Sequence, residues 1–286
     1  MSVRLDRLDL SKHVIILTGA TDGIGKDMAR ILAGFNPKRL VLPARNKEKG
    51  NNLLEYIKSS NGHANNVEIW EMDLADLQSV KSFVNKFINE IGELHILFNN
   101  AGNKNNDIVF YYVSHLLTLL LLDTIKKSVS AELPGKIAFT SSGTQRYGKI
   151  DFDNSNLEKG AYFGPFQGYA NTKLMNIIVT KELSRVVQNK NENITTFLLQ
   201  PGIIQTNLGH MNSGLSNFLQ NLFVKMYEIP AEQGAINVLY PVLSPENKET
   251  GKYYHEGIEK EPNEIVEVMK RLWNVSEQIL KDHEMI

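Results

Sequence analysis

Cysteine is absent from all 286 residues, which excludes disulfides, thiolate zinc sites and cysteine nucleophiles together. The seven histidines are scattered with no pair at ligand spacing, so no metal site is expected. Excess charge of either sign is missing too. Lys and Arg number 31 against 32 Asp and Glu, so there is no electrostatic footprint for nucleic acid or an anionic membrane. Nor is there a long apolar run. The longest, residues 116–122, is interrupted by Thr118 and is far too short to span a bilayer. Residues 1–13 are charged and lack an apolar signal core. Internal repeats and linkers are also absent. What remains is the expectation of a soluble, cytoplasmic protein folding as one domain over residues 1–286, with 42% hydrophobic residues to build a core.

What is present alternates. Residues 13–17, His-Val-Ile-Ile-Leu, form a short apolar run rich in β-branched residues, as in a strand buried on both faces. It runs into Thr18-Gly19-Ala20-Thr21-Asp22-Gly23-Ile24-Gly25, after which residues 26–33 read as helix. Strand, glycine turn and helix together are the context in which such a turn binds a dinucleotide. Gly19 permits the tight turn, Gly23 lets the backbone approach a phosphate, and Gly25 lets helix and strand pack closely. The helix N-terminus offers free N–H groups to the pyrophosphate.

Further strands are expected at 39–42, 66–72, 94–98, 136–139 and 194–199, with helices at 47–59, 76–91, 107–130 and 231–243. A last edge strand is expected at 252–254 and a C-terminal amphipathic helix at 263–280. Strand and helix in alternation imply a doubly wound parallel sheet with ligands at the carboxyl ends of the strands. Several polar groups fall at those ends. Arg45 and Asn46 follow the second strand, where an arginine favours a ribose 2′-phosphate and so NADP(H) over NAD(H), with Lys26 in support. Asp73 and Leu74 close the third, where a carboxylate can accept from an adenine amino group. Asn99-Asn100-Ala101-Gly102 closes the fourth, Ser141-Ser142-Gly143 the fifth, and Pro201-Gly202 the sixth. The helix at 107–130 is apolar nearly all round, which calls for burial on several sides, against a partner subunit in a homodimer or within the chain's own core. Residues 145–167 read as loop, and 207–229 as a substrate lid or two surface helices.

Tyr169-Ala170-Asn171-Thr172-Lys173 stands at the front of a segment, 174–187, that reads as helix. Four residues apart, Tyr169 and Lys173 leave one helix face together. An ammonium beside a phenol favours the phenolate, so the spacing predicts that Lys173 lowers the Tyr169 pKa from its usual value of about 10. Such a phenol can donate a proton to a carbonyl oxygen or take one from an alcohol. The same spacing also occurs on solvated helix faces.

Taken together, Thr18-Gly19 through Gly25, Asp73, Asn99 to Gly102, Ser142, Tyr169 with Lys173, and Pro201-Gly202 followed by Thr206 resemble the short-chain dehydrogenase/reductase family over nearly the whole chain. The retinol dehydrogenase-like branch is the most similar, through Gly148-Lys149-Ile150-Asp151-Phe152, Gly251-Lys252-Tyr253-Tyr254 and Arg271-Leu272-Trp273. The resemblance implies a single Rossmann-type sheet flanked by helices with a small C-terminal substrate lid. It implies catalysis by Ser142, Tyr169 and Lys173, with Tyr169 as general acid/base and Ser142 polarising the substrate oxygen. The cofactor would be held by Gly19, Thr21, Asp22, Gly23, Ile24, Gly25, Arg45, Asn46, Asp73, Leu74, Asn100, Ala101, Gly102, Tyr169, Lys173, Pro201, Gly202, Ile204 and Thr206. The expected reaction is hydride transfer between the nicotinamide of NADP(H) and a carbonyl or alcohol carbon of a small apolar substrate.

Two departures from the family pattern flank this site. An alignment of Val113-Ser114-His115-Leu116-Leu117 with the helix after Asn-Asn-Ala-Gly puts Tyr111 where the family usually has an Asn that anchors a water relay to the lysine. The link from Gly102 to this helix is also shorter than is usual in the branch. These departures keep open two alternatives: a cofactor-binding regulatory or interaction protein that has lost redox chemistry, and a non-redox enzyme on the same fold. The membrane-anchoring N-terminus of some relatives has no counterpart in residues 1–13.

Overall fold

The computed structural model describes residues 5, 8–102, 107–149, 165–190, 192–203, 229–260, 273, 274, 278 and 281, and the side chains of 107–112 and 165–166 fall outside that description. Eight strands form one sheet in the order β3-β2-β1-β4-β5-β6-β7-β8. They are β1 (Val14–Leu17), β2 (Arg39–Ala44), β3 (Val67–Glu71), β4 (Ile96–Asn99), β5 (Gly135–Thr140), β6 (Ile194–Gln200), β7 (Lys252–His255) and β8 (Ile258–Lys260). The helices are α1 (Gly23–Gly34), α2 (Lys47–Asn61), α3 (Leu77–Glu90), α4 (Asp107–Ser128), α5 (Pro165–Asn189) and α6 (Ala231–Leu243). All neighbouring strands pair in parallel except β7 with β8. The chain order reverses between β1 and β4, and a crevice opens at the carboxyl ends of the strands on either side of such a switch point.

β1 reads as an unbroken apolar run, and so do most of β4 and the middle of β2, because both faces of the sheet are covered there. Val14 and Ile16 of β1 join a core with Phe83, Phe87, Leu117 and Ile178 from α3, α4 and α5. Ile15 and Leu17 point the other way, into a core with Met28, Leu32, Leu53 and Val238 from α1, α2 and α6. Each fully buried Leu, Ile or Phe is worth roughly 1.5–3 kcal/mol relative to exposure, so a polar residue at any of these positions would cost the sheet dearly.

The apolar helix α4 is absorbed largely by the chain itself. Val113, Leu116, Leu117, Leu121, Leu122 and Ile125 are buried in the first core, and Leu119 and Leu120 pack against it while keeping part of their surface exposed. Among the described residues, no helix is long and apolar enough to cross a membrane.

Three boundaries differ from the sequence expectation. Helix α5 begins at Pro165 rather than near residue 174, so Tyr169 and Lys173 sit inside a continuous helix. Pro suits a first helical turn, where its missing N–H costs nothing. The expected loop from 145 is in part a 3₁₀ turn, Gly143–Tyr147, capped by the Ser142 side chain. The edge of the sheet is β8 and not β7. Glu256 and Gly257 both have positive φ, 54° and 79°, and such a two-residue turn folds a strand back antiparallel. The proposed lid at 207–229 and the C-terminal helix at 263–280 lie almost wholly outside the described residues.

Candidate active site at the carboxyl edge of the sheet

The glycine turn is set by close contacts. Gly19 has φ 68°, and a side chain there would put its Cβ 2.7 Å from the Ala101 Cα. A Cβ on Gly25 would lie 2.0 Å from the Gly19 carbonyl oxygen and 2.7 Å from Asn100 Nδ2. Both positions therefore require glycine. Gly23 differs: its φ is 53°, yet nothing lies within 4 Å of where its Cβ would be. The chain leaves open space above Gly23 while packing tightly beneath Gly19 and Gly25, as a turn that receives a ligand from above must. Asp22 caps α1, accepting from the Gly23 N–H at 2.8 Å. The Thr21 and Ile24 side chains flank it half-buried, and Ile24 packs into the second core.

Thr18, which the sequence reading left out of the site, fastens this turn to the neighbouring strand. Its hydroxyl donates to the Phe98 carbonyl (3.2 Å) and accepts from the Asn100 and Ala101 N–H groups, each at 3.1 Å. The Asn100 side-chain amide donates to the Thr18 carbonyl at 3.1 Å. Asn99 instead points into the fold and donates to Thr118 Oγ1 of α4 at 3.0 Å. The hydroxyl that ends a buried strand just before a glycine turn is the signal that could have marked Thr18.

At the tip of β2, Arg45 is largely exposed and its guanidinium lies 4.0 Å from the Asp73 carboxylate. An exposed pair at that distance contributes little to stability, so the guanidinium is available to an anionic partner. Asn46 caps α2, accepting from the Lys49 N–H. Asp73 accepts from the Ala75 N–H, and Leu74 is half-buried against the first core. The Lys26 ammonium lies instead 4.1 Å from the Tyr56 ring centroid, an attraction that holds it on the α1–α2 side.

The second half of the site rises from β5 and α5. Lys173 is buried, only 5% exposed. Its Nζ donates to the Thr140 carbonyl at 3.0 Å and lies 5.4 Å from the centroid of the half-buried Tyr169 ring. A Cβ added to Gly102 would come within 3.2 Å of the same Nζ, so the ammonium also borders the Asn-Asn-Ala-Gly strand end. The Asn176 amide donates to the Thr140 carbonyl too, at 3.2 Å. The Thr140 hydroxyl donates to Asn100 Oδ1 at 3.3 Å, linking this half of the site to the glycine half.

The two serines after β5 are sorted by burial. Ser141 is buried, with its hydroxyl 3.0 Å from both Gln145 Oε1 and the Lys173 carbonyl. Ser142 is half-buried at the sheet edge, where its hydroxyl caps the 3₁₀ turn through the Thr144 N–H at a long 3.4 Å. Of the two, Ser142 is the less buried. Beneath them Gln145 donates to the Tyr253 hydroxyl (3.3 Å), which donates in turn to Gln200. Burial pushes the Tyr253 phenol pKa up. Pro201 is buried and its carbonyl accepts from Asn237 at 2.9 Å, while Gly202 takes a positive φ of 106°. Ile204 and Thr206 lie outside the described residues, as does the Tyr111 side chain.

Thus the segments named from sequence at six strand ends lie on one edge of one sheet, and hydrogen bonds join the glycine turn, Asn100, Thr140 and Lys173. The chain is similar over most of its length to known proteins. It is 32% identical over 291 residues to retinol dehydrogenase 11 of Mus musculus, covering 96% of this chain and 88% of that one. It is 29% identical to polyprenol dehydrogenase of Homo sapiens, covering 85% and 76%. Among solved structures it superposes on a short chain dehydrogenase from Burkholderia cenocepacia in complex with NADP, with a TM-score of 0.63, 21% identity, and 87% and 97% coverage. Residues 13–214 match the model of the family described as short chain dehydrogenase, and the chain is an oxidoreductase that belongs to this family.

Proposed function

We propose that this protein is an NADP(H)-dependent carbonyl reductase or alcohol dehydrogenase whose substrate is small and apolar. The observation that carries the reading is the buried Lys173 ammonium 5.4 Å from the Tyr169 ring centroid, at the edge where the glycine turn and Gly102 also end. When bound, NADPH would supply the hydride for reduction and NADP+ would accept it in oxidation. The residues fit it: open space above Gly23 and the α1 N-terminus would take the pyrophosphate, and the exposed Arg45 a ribose 2′-phosphate. Asp73 would meet the adenine, and Lys173 the ribose next to the nicotinamide.

In the direction of reduction, Tyr169 gives its proton to the carbonyl oxygen as the carbon is reduced. In oxidation it takes that proton back. The Lys173 charge beside the ring stabilises negative charge on the phenol oxygen as the proton leaves. The Ser142 hydroxyl donates to the same substrate oxygen and polarises it. An apolar substrate is supported by the names of the relatives, which act on retinol and on a polyprenol, and by Leu215, Phe218, Leu222 and Phe223 in the 207–229 segment.

The test is NADPH oxidation with a panel of ketones and aldehydes. Turnover is expected with at least one apolar carbonyl, and Tyr169→Phe should abolish it while NADPH still binds. Turnover that survives the loss of the phenol hydroxyl would overturn the assignment.

A further inference from the structure

A carbonyl oxygen has two lone pairs, and at Thr140 both are occupied by side chains of one helix. Lys173 Nζ takes one at 3.0 Å and Asn176 Nδ2 the other at 3.2 Å. Lys173 and Asn176 stand three residues apart, on the same face of α5, and both are buried. The ammonium is hemmed in elsewhere as well. The Tyr169 ring lies on one side, and Gly102, where even a methyl group would come within 3.2 Å, on another.

We propose that Asn176 is a positioning residue for Lys173: by filling the second lone pair of the Thr140 carbonyl, it confines the ammonium to the lone pair facing Tyr169 and the crevice. An ammonium has three donors. With one fixed on Thr140, the other two remain for the cofactor ribose and the phenol oxygen. Without the Asn176 amide, the carbonyl offers Nζ a second seat, further along α5 and away from Tyr169. The Lys173 side chain would then divide its time between the two. The chain also ties the backbone at this point, since the Lys173 carbonyl is within reach of the Ser141 hydroxyl at 3.0 Å. The remaining freedom is in the side chain, which is where Asn176 acts.

The inference rests on the role proposed above for Lys173, and the experiment separates the two. Asn176→Asp keeps the shape, removes the donor and places an anion next to Nζ. Asn176→Ala removes the donor alone. Asn176→Gln keeps an amide that can still reach the carbonyl. NADPH affinity is measured by fluorescence titration, the pH profile of kcat/KM with the best carbonyl substrate, and the thermal unfolding of each variant. The Asp variant should bind NADPH about tenfold more weakly, the size expected for one buried charge-assisted hydrogen bond. Its pH profile should be displaced from that of the unaltered protein. The Ala variant should fall between, and the Gln variant should recover most of the loss.

A lower unfolding temperature with unchanged NADPH affinity and pH profile would mean that Asn176 is only structural, and would overturn the proposal. Should the Ala variant fail to fold, the contrast between the isosteric Asp variant and the Gln variant decides. An unaltered protein that binds no NADPH would overturn the reading of Lys173, and this inference with it. Normal NADPH binding, with loss of turnover in Tyr169→Phe but no effect at residue 176, refutes only the inference.

Discussion

Replacing Gly25 with alanine offers a direct test of how the glycine turn works. The new Cβ would lie 2.0 Å from the Gly19 carbonyl oxygen, where real contacts essentially never fall below 3.0 Å. Helix α1 and the Gly19 turn must therefore separate by at least 1.0 Å, the difference between those two distances. Neither partner is a flexible side chain, and Asn100 Nδ2, 2.7 Å away, closes the remaining direction. Overpacking of this kind costs about 1–3 kcal/mol, which in a domain of this size lowers the unfolding temperature by roughly 2–10 °C. The same movement carries the first turn of α1 off its seat on β1 and β4, so NADPH affinity should fall with stability. Gly23→Ala supplies the contrast. Nothing surrounds its Cβ, and only the positive φ of 53° is strained, a cost of about 1–2 kcal/mol. Its Cβ would instead enter the space into which the cofactor is proposed to come, so affinity should suffer more than stability. Thermal unfolding and NADPH fluorescence titration read both quantities. A Gly25→Ala protein that unfolds at the unaltered temperature and binds NADPH within about twofold would refute the reasoning.

Two further expectations follow from the α4 region. Burial pushes the His115 pKa down from 6.5 to about 3, and its ring meets Trp273 edge-on at 4.8 Å. The folded protein therefore holds His115 neutral where the unfolded chain would protonate it. Stability from this group is full above pH 6.5 and is lost as pH falls towards 3, amounting to about 2 kcal/mol by pH 5. His115→Leu should remove that part of the difference between urea unfolding at pH 7 and pH 5, and an unchanged difference would refute it. Separately, Leu119 and Leu120 are the α4 leucines that retain exposed surface. We expect a homodimer built over them, and sedimentation showing a monomer at micromolar concentration would dismiss it.

Much of the sheet was legible in the sequence because a strand covered on both faces is largely apolar, as β1 is throughout and β4 is up to Asn99. The glycine turn was legible for a related reason: Gly19 and Gly25 sit where any side chain collides with backbone. Legibility failed where local chemistry and tertiary context disagree. Gly168, Asn171 and Thr172 are weak helix formers, so α5 looked as if it began at 174, yet burial of Ala170 and Lys173 carries the helix back to Pro165. Pro43 argues against a strand interior, yet β2 continues through it. Beyond Val41 the recorded register of β2 is with β3 alone, so no ladder to β1 is there to break. The short β8 was invisible because Ile258-Glu259-Lys260 has no pattern of its own and is made a strand by the turn at Glu256 and Gly257. At the site, the residues proposed to carry chemistry stood out by their spacing, whereas those that hold them did not. Thr18, Thr140 and Asn176 look like ordinary polar residues until the fold gives them partners.

Those partners bear on the departure at Tyr111. Position 111 lies on α4. The group that holds the Lys173 ammonium is a carbonyl at the end of β5, a backbone atom that no substitution on α4 removes. The same residue reaches Asn100 through its hydroxyl, and Asn100 reaches the carbonyl of Thr18, next to the glycine turn. Lysine placement and the cofactor end of the site therefore share one anchor. A change on α4 leaves the Thr140 carbonyl in place, whereas a change at Thr140 or Asn100 removes a side-chain link between the glycine turn and β5. That separation lets α4 vary in sequence while Lys173 stays beside the Tyr169 ring.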